Sequence, residues 1–269
     1  MPVREAARQE QHAGMRGRWS KVPEATALFW IIKVLTTGMG ETASDFLAHR
    51  LGPVPAVGLT GLLLLAALAW QGRARQYVPG IYWTAVTMVS VFGTVAADVL
   101  HVGLDVPYTV STALFAGLLA GVFFLWFRME GTLSIHSITS ARREGFYWAA
   151  VLGTFALGTA AGDWTARTLG LGWLGSALVF TALIAVPPLM RVSFGLGEVL
   201  TFWWAYVLTR PLGASVADWM AVPRADSGLG WGTGAVTLGW ATLIAMLVAM
   251  LALSAPRRGT VYPRYTDAP

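Results

Sequence analysis

The sequence predicts an all-α integral membrane protein of eight transmembrane helices, built as four parallel helical-hairpin repeats in two pseudo-symmetric halves. Composition is the first reason. Of 269 residues, 55% are apolar and 12% charged, with a mean hydropathy of +0.58, whereas an ordinary soluble domain is about 25% charged. The second is that apolar runs of roughly twenty residues, enough to cross ~30 Å of hydrocarbon, recur eight times. The third is that alternate runs carry one motif in one register.

Taken in order, residues 1–25 are polar without an apolar segment of signal-peptide type and are expected to form a cytoplasmic tail. The first span, about 26–48, contains FWIIKVLTTGMGETASD and is conspicuously polar for a helix in lipid. The second, 53–71, is a plain apolar run (VGLTGLLLLAALAW). The third, 79–102, reads YWTAVTMVSVFGTVAAD, and the fourth, 107–127, is again plain (STALFAGLLAGVFFLWF). The longest connector, RMEGTLSIHSITSARREG, follows and divides the chain into two halves of four helices. The fifth span, 145–168, carries YWAAVLGTFALGTAAGD, and the sixth, 172–190, is apolar. The seventh, 196–220, carries FWWAYVLTRPLGASVAD; the eighth, 230–254, is apolar and leads into a polar tail, 255–269. The repeats are thus about 26–71, 79–127, 145–190 and 196–254. An even number of crossings per unit makes them parallel rather than inverted.

The odd spans align without a gap. Each has an aromatic–Trp pair (Trp30, Trp83, Trp148, Trp203), a glycine ten residues after the tryptophan (Gly40, Gly93, Gly158, Gly213) and an aspartate five after that (Asp45, Asp98, Asp163, Asp218). From Leu28 to Leu253 this pattern resembles a bacterial inner-membrane protein family of unassigned function, defined by four tandem two-helix transmembrane repeats with a characteristic tryptophan in each. The resemblance implies architecture and supplies no catalytic residue.

Charge sets the expected orientation. With both termini inside, fourteen basic residues fall in inner segments, including Arg73, Arg75, Arg128, Arg142, Arg143 and Arg191, against Arg50, Arg167 and Arg224 in outer loops, as the positive-inside rule requires. The net charge of +5 therefore reports topology, not nucleic-acid binding. The expected surroundings are the lipid bilayer of a bacterial inner membrane; the oligomeric state is left open. Cysteine is absent, which excludes disulfides, thiolate ligands and cysteine nucleophiles. No HExxH, GxSxG or nucleotide-binding loop is present, so an enzyme is not expected.

Each motif position has a bland reading and a sharp one. The glycines, followed four residues later by Ser44, Ala97, Gly162 or Ala217, form small-residue stripes for close helix packing in lipid. The tryptophans lie near the inner ends of their helices and read as interfacial anchors. Glu24, Glu144 and Glu198 sit at helix N-termini, where the helix dipole favours them. The aspartates, about 22 Å beyond the tryptophans along a helix, either fix packing between hairpins or form a cation vestibule around one axis, as acidic rings do in cation pathways. His49 and His101 lie four and three residues after Asp45 and Asp98, so these four residues are the candidate metal ligands for a divalent ion bound as substrate; no cofactor is expected.

Charged residues inside spans usually face the bundle interior or a wet cavity. Lys33 and Arg210 fall on the glycine stripe, and repeats two and three have Val86 and Val151 at the Lys33 position and Thr94 and Thr159 at that of Glu41. A solute path lined by Lys33, Thr36, Thr37, Glu41 and Arg210 is expected; the alternative is a buried pair stitching the first helix to the seventh. The functional expectation is a transporter of a small charged solute, first a divalent, manganese-like cation exported past the aspartates. The alternatives are a proton-coupled carrier of a small organic anion held by Lys33 and Arg210, and a structural or sensory membrane protein.

Overall fold

A computed structural model describes residues 20–254; the tails assigned to 1–25 and 255–269 lie largely outside them. Eight long helices are present: α1 (Ala27–Leu51), α2 (Pro53–Arg73), α3 (Pro79–Asp98), α4 (Tyr108–Glu130), α5 (Ala141–Asp163), α6 (Gly172–Phe194), α7 (Glu198–Ala221) and α8 (Thr233–Ser254). No strand occurs among the described residues. Each helix has at least the ~20 residues a membrane crossing needs. Five, namely α2, α3 extended to His101, α4, α6 and α8, are apolar enough to cross on composition alone. The other three bury the polar residues of their middle turns, Lys33, Thr36, Thr37 and Glu41 on α1, Thr154 and Thr159 on α5, and Thr209 and Arg210 on α7.

Local signals start and stop these elements. Thr26 and Ser140 cap α1 and α5, their hydroxyls accepting the amides of Phe29 and Arg143. Gly131 and Gly195 end α4 and α6 in the left-handed conformation, donating back to the carbonyls of Phe127 and Arg191. Prolines open α2 and α3, where a missing amide costs nothing.

The odd helices form a closed inner ring, α1 on α3, α3 on α5, α5 on α7 and α7 on α1. The motif glycines are the contact points. A methyl group on Gly40 would lie 1.8 Å from Ser90 Oγ, on Gly93 2.9 Å from Phe155 Cβ, on Gly158 2.2 Å from Arg210 Cγ and on Gly213 1.9 Å from Thr37 Oγ1. In all four cases the partner is the residue seven after the tryptophan of the next repeat. One packing rule, applied four times, closes the ring. The even helices lie outside it, and each packs mainly on the inner helix of the following repeat: α2 on α3, α4 on α5, α6 on α7 and α8 on α1. Their outer faces, with Leu62, Leu65, Leu118 and Leu238 well exposed, are suited to lipid.

The tryptophans correct one expectation. Trp83, Trp148 and Trp203 are buried and Trp30 partly so; they are core residues, not anchors at the bilayer surface. They pack edge-on or tilted against Phe29, Tyr82, Tyr147 and Phe202, the residues just before them. Trp203 Nε1 donates to the Leu133 carbonyl at 2.9 Å. Inner helices expose little surface to lipid, so an aromatic at their ends meets the neighbouring helix instead. This aromatic layer fills the tryptophan end of the ring, and the segment before α1 is tied across that end: Lys21 Nζ donates to Glu144 at 2.7 Å and to the Gly72 carbonyl at 3.1 Å.

Gly158→Leu and Gly213→Leu are expected to lower folded yield and the melting temperature of detergent-purified protein, since overpacking costs about 1–3 kcal/mol or more. Gly121→Leu, on the outer helix α4 with open space around it, should be tolerated. Equal melting temperatures for the three variants would show that the ring does not close at these glycines.

Candidate functional site: a polar axis ending in an acidic cavity

Counting from each tryptophan, the residues at plus three, seven, eleven and fifteen recur every four positions, so they lie along one ridge of each inner helix. The first of these layers is Lys33, Val86, Val151 and Tyr206; the second, Thr37, Ser90, Phe155 and Arg210; the third, Glu41, Thr94, Thr159 and Ala214. All twelve are buried. The fourth layer is the aspartates, at the opposite end from the tryptophans.

Arg210 is fully buried and gathers the third layer around it. Its Nη2 donates to Glu41 Oε2, to Thr94 Oγ1 and, at 2.6 Å, to Thr159 Oγ1, while Nη1 reaches the Thr37 carbonyl at 3.5 Å. Every other repeat thus contributes an acceptor, and the three side-chain acceptors come from one register position. The Thr37 hydroxyl lies 2.6 Å from the Val34 carbonyl of its own helix and 3.1 Å from the Thr209 carbonyl, at the contact of α1 with α7.

Below this layer Lys33 Nζ is enclosed by the Phe155 and Tyr206 rings, 4.1 and 4.4 Å from their centroids, with no hydrogen-bond partner among the described residues. Further toward the tryptophan end, Tyr82 and Tyr147 share a 2.6 Å hydroxyl contact.

Of the five residues expected to line a path, only Glu41 borders the cavity formed by the aspartates. Lys33, Thr36, Thr37 and Arg210 are enclosed within the inner ring. Thr36 turns its hydroxyl back to the carbonyls of Ile32 and Lys33. The Arg210–Glu41 pair joins α1 to α7, which is the stitching arrangement.

Beyond Glu41 lies a cavity of about 330 Å³ whose walls include Asp45, Asp98, Asp163 and Asp218 together with Glu41, His49, His101, Tyr108 and Arg167. Five acidic side chains face one arginine there. Arg167 is bound to Asp163 at 3.1 Å and lies over the Trp173 ring. Asp98 accepts from Ser44 Oγ at 3.4 Å. Among the described residues Asp45, Asp98 and Asp218 have no basic side chain within ion-pair distance.

The structure places the four expected metal ligands, Asp45, His49, Asp98 and His101, around one space. All four border the cavity, but no group of three acidic or histidine side chains among the described residues is placed to hold a metal ion. After Asp98 the chain widens into a π-helical turn, Val99–Gly103, so a spacing of three no longer puts His101 beside Asp98. His101 Nδ1 instead bonds the Val106 carbonyl at 3.2 Å, and its ring packs on Tyr108. His49 Nδ1 bonds the Asp45 carbonyl of its own helix at 2.7 Å. What faces the cavity is chiefly carboxyl oxygen.

Sequence reasoning missed Thr94 and Thr159 as arginine acceptors and Phe155 and Tyr206 as the lysine cage. The signal was present in their register, equal to that of Glu41, Arg210 and Lys33, but threonines and aromatics in an apolar helix carry no charge to draw attention.

A pair buried this deeply should couple strongly. Glu41→Gln alone is expected to destabilise the protein by about 3–5 kcal/mol, because it strands the guanidinium. In a cycle with Arg210→Gln the coupling should reach about 1–3 kcal/mol, read from denaturation in detergent. Additive losses would show that the two side chains do not meet.

The family described as Repeat of Unknown Function (DUF347) matches the chain at residues 28–77, 81–132, 146–194 and 201–256, one match per helix pair. No curated protein and no solved structure matches it.

Proposed function

The chain belongs to the DUF347 repeat family, and from that premise we propose that it is a membrane transporter of a small charged solute, with a divalent, manganese-like cation as first choice. The cavity carries this reading. It brings all four repeat aspartates and Glu41 to one space against a single arginine, a wall of the sign that concentrates cations. Carboxyl oxygens, threonine hydroxyls and water suit hard ions such as manganese, magnesium and calcium better than soft ones. The enclosed and engaged state of Lys33 and Arg210 speaks against a bound organic anion.

The orientation belongs to the same proposal. The tryptophan end carries Arg73, Arg75, Arg128, Arg142, Arg143 and Arg191, and the aspartate end Arg50, Arg167 and Arg224, which favours cytoplasmic termini in a bacterial inner membrane and a cavity facing outward. Export then requires the solute to reach the aspartates from the tryptophan side, through layers that are closed in this state.

Two measurements test these statements. In proteoliposomes, manganese flux should fall about tenfold or more when all four aspartates are changed to Asn. Among single variants, Asp45→Asn, Asp98→Asn and Asp218→Asn should lose more than Asp163→Asn, whose partner Arg167 already offsets it; wild-type flux in the quadruple variant would end the cation reading. For topology, the natural absence of cysteine allows single labels: His136→Cys should resist an impermeant maleimide in intact cells and Ala225→Cys should react. The reverse pattern would invert the orientation.

A further inference from the structure

We propose that the oxygen cage around Arg210 is itself a binding site for a hard cation, held shut by the protein's own guanidinium, and that the solute occupies it when Arg210 withdraws. The inference rests on the cation-transport reading and places its central site. Glu41, Thr94 and Thr159 converge from three repeats on Arg210 Nη2, and the Thr37 carbonyl lies beside them, 3.5 Å from Nη1. A carboxylate, two hydroxyls and a backbone carbonyl form an oxygen set of the kind that calcium- and magnesium-like ions accept. The fourth repeat has Ala214 at this register and supplies Arg210 instead, a cation where the others supply oxygen.

Three features suit an exchangeable occupant rather than a fixed strut. Glu41 is shared, holding Arg210 while bordering the acidic cavity, so an ion among the aspartates meets the cage without crossing apolar surface. Arg210 Nε has no partner. Pro211, next in α7, removes one backbone hydrogen bond and crowds the preceding turn, which loosens the helix where the side chain is rooted. The aspartate layer lies one helical turn away, about 6 Å along the axis. A guanidinium swinging up to Asp163 or Asp218 as a divalent ion moves down to Glu41 keeps the total charge constant and leaves a cation in each layer, the cage gaining one positive charge and the aspartate layer losing one, so neither set of carboxylates is left without a counter-charge in low dielectric.

The test uses full-length Arg210→Met protein in detergent, titrated with Mn²⁺ and, separately, Mg²⁺. Binding to the folded state raises apparent stability. The variant is expected to melt below wild type without cation and to gain about 5 °C or more with it. That gain should persist when Asp45, Asp98, Asp163 and Asp218 are all Asn, and vanish when Glu41→Gln is added. If it depends on the aspartates and not on Glu41, or survives Glu41→Gln, the cage is no site, though the vestibule reading stands. If neither cation stabilises Arg210→Met, the arginine is a structural strut and the proposal is overturned. Should Arg210→Met not accumulate, Arg210→Gln is synthesised into phosphatidylcholine vesicles with and without Mn²⁺. A folded yield raised about twofold or more by the ion, and only with Glu41 intact, supports the site; an unchanged yield overturns it.

Discussion

Everything along the axis is arranged around one guanidinium that has no access to water. Removing an arginine from solvent costs several kcal/mol unless its donors are paired, and in a membrane bundle the acceptors must come from other helices. Arg210 finds them on α1, α3 and α5 at once. That requirement draws the four inner helices to a common point, and Gly158, against which the arginine stem lies, is small because the stem needs the room. The same interaction closes the axis between the aromatic layer and the acidic cavity.

The repeat makes this economical. One relation, a glycine receiving the residue seven after the next repeat's tryptophan, generates the whole ring, and in lipid such close approach is the main source of helix association. Within that frame the layers are free to differ in chemistry. Lys33, Glu41 and Arg210 break the fourfold pattern without disturbing the packing, because they replace residues that already faced inward. Departures from a repeat that leave its spacing intact are where a symmetric scaffold acquires a particular chemistry.

Charge also varies along the axis in a definite order. A lysine side chain between two rings, a guanidinium on a carboxylate, and then a space walled by aspartates succeed one another from the tryptophan end to the aspartate end. The two basic side chains meet different surroundings, ring faces for Lys33 and oxygen acceptors for Arg210. Only the second has a partner, Glu41, that also borders the acidic cavity.

Helix number, repeat length, the parallel sense of the hairpins and the facing of the glycine stripe were legible in the sequence, because hydropathy and register are properties of the chain itself. So was the inward position of Lys33, Glu41 and Arg210, since charge in an apolar span has few other places to go. Which partner each charge takes was not. Thr94 and Thr159 lie 116 and 51 residues from Arg210, and only closure of the ring brings them to it. The burial of Trp83, Trp148 and Trp203 likewise followed from the odd helices being inside the even ones, an arrangement that hydropathy along a single helix does not contain. The π-helical turn after Asp98, which carries His101 out of the expected register, was decided by the backbone where the inner helix gives way to its loop. The sequence by itself determined what each helix presents; the tertiary structure decided what it is presented to, because in a ring the nearest neighbour of a side chain belongs to another repeat.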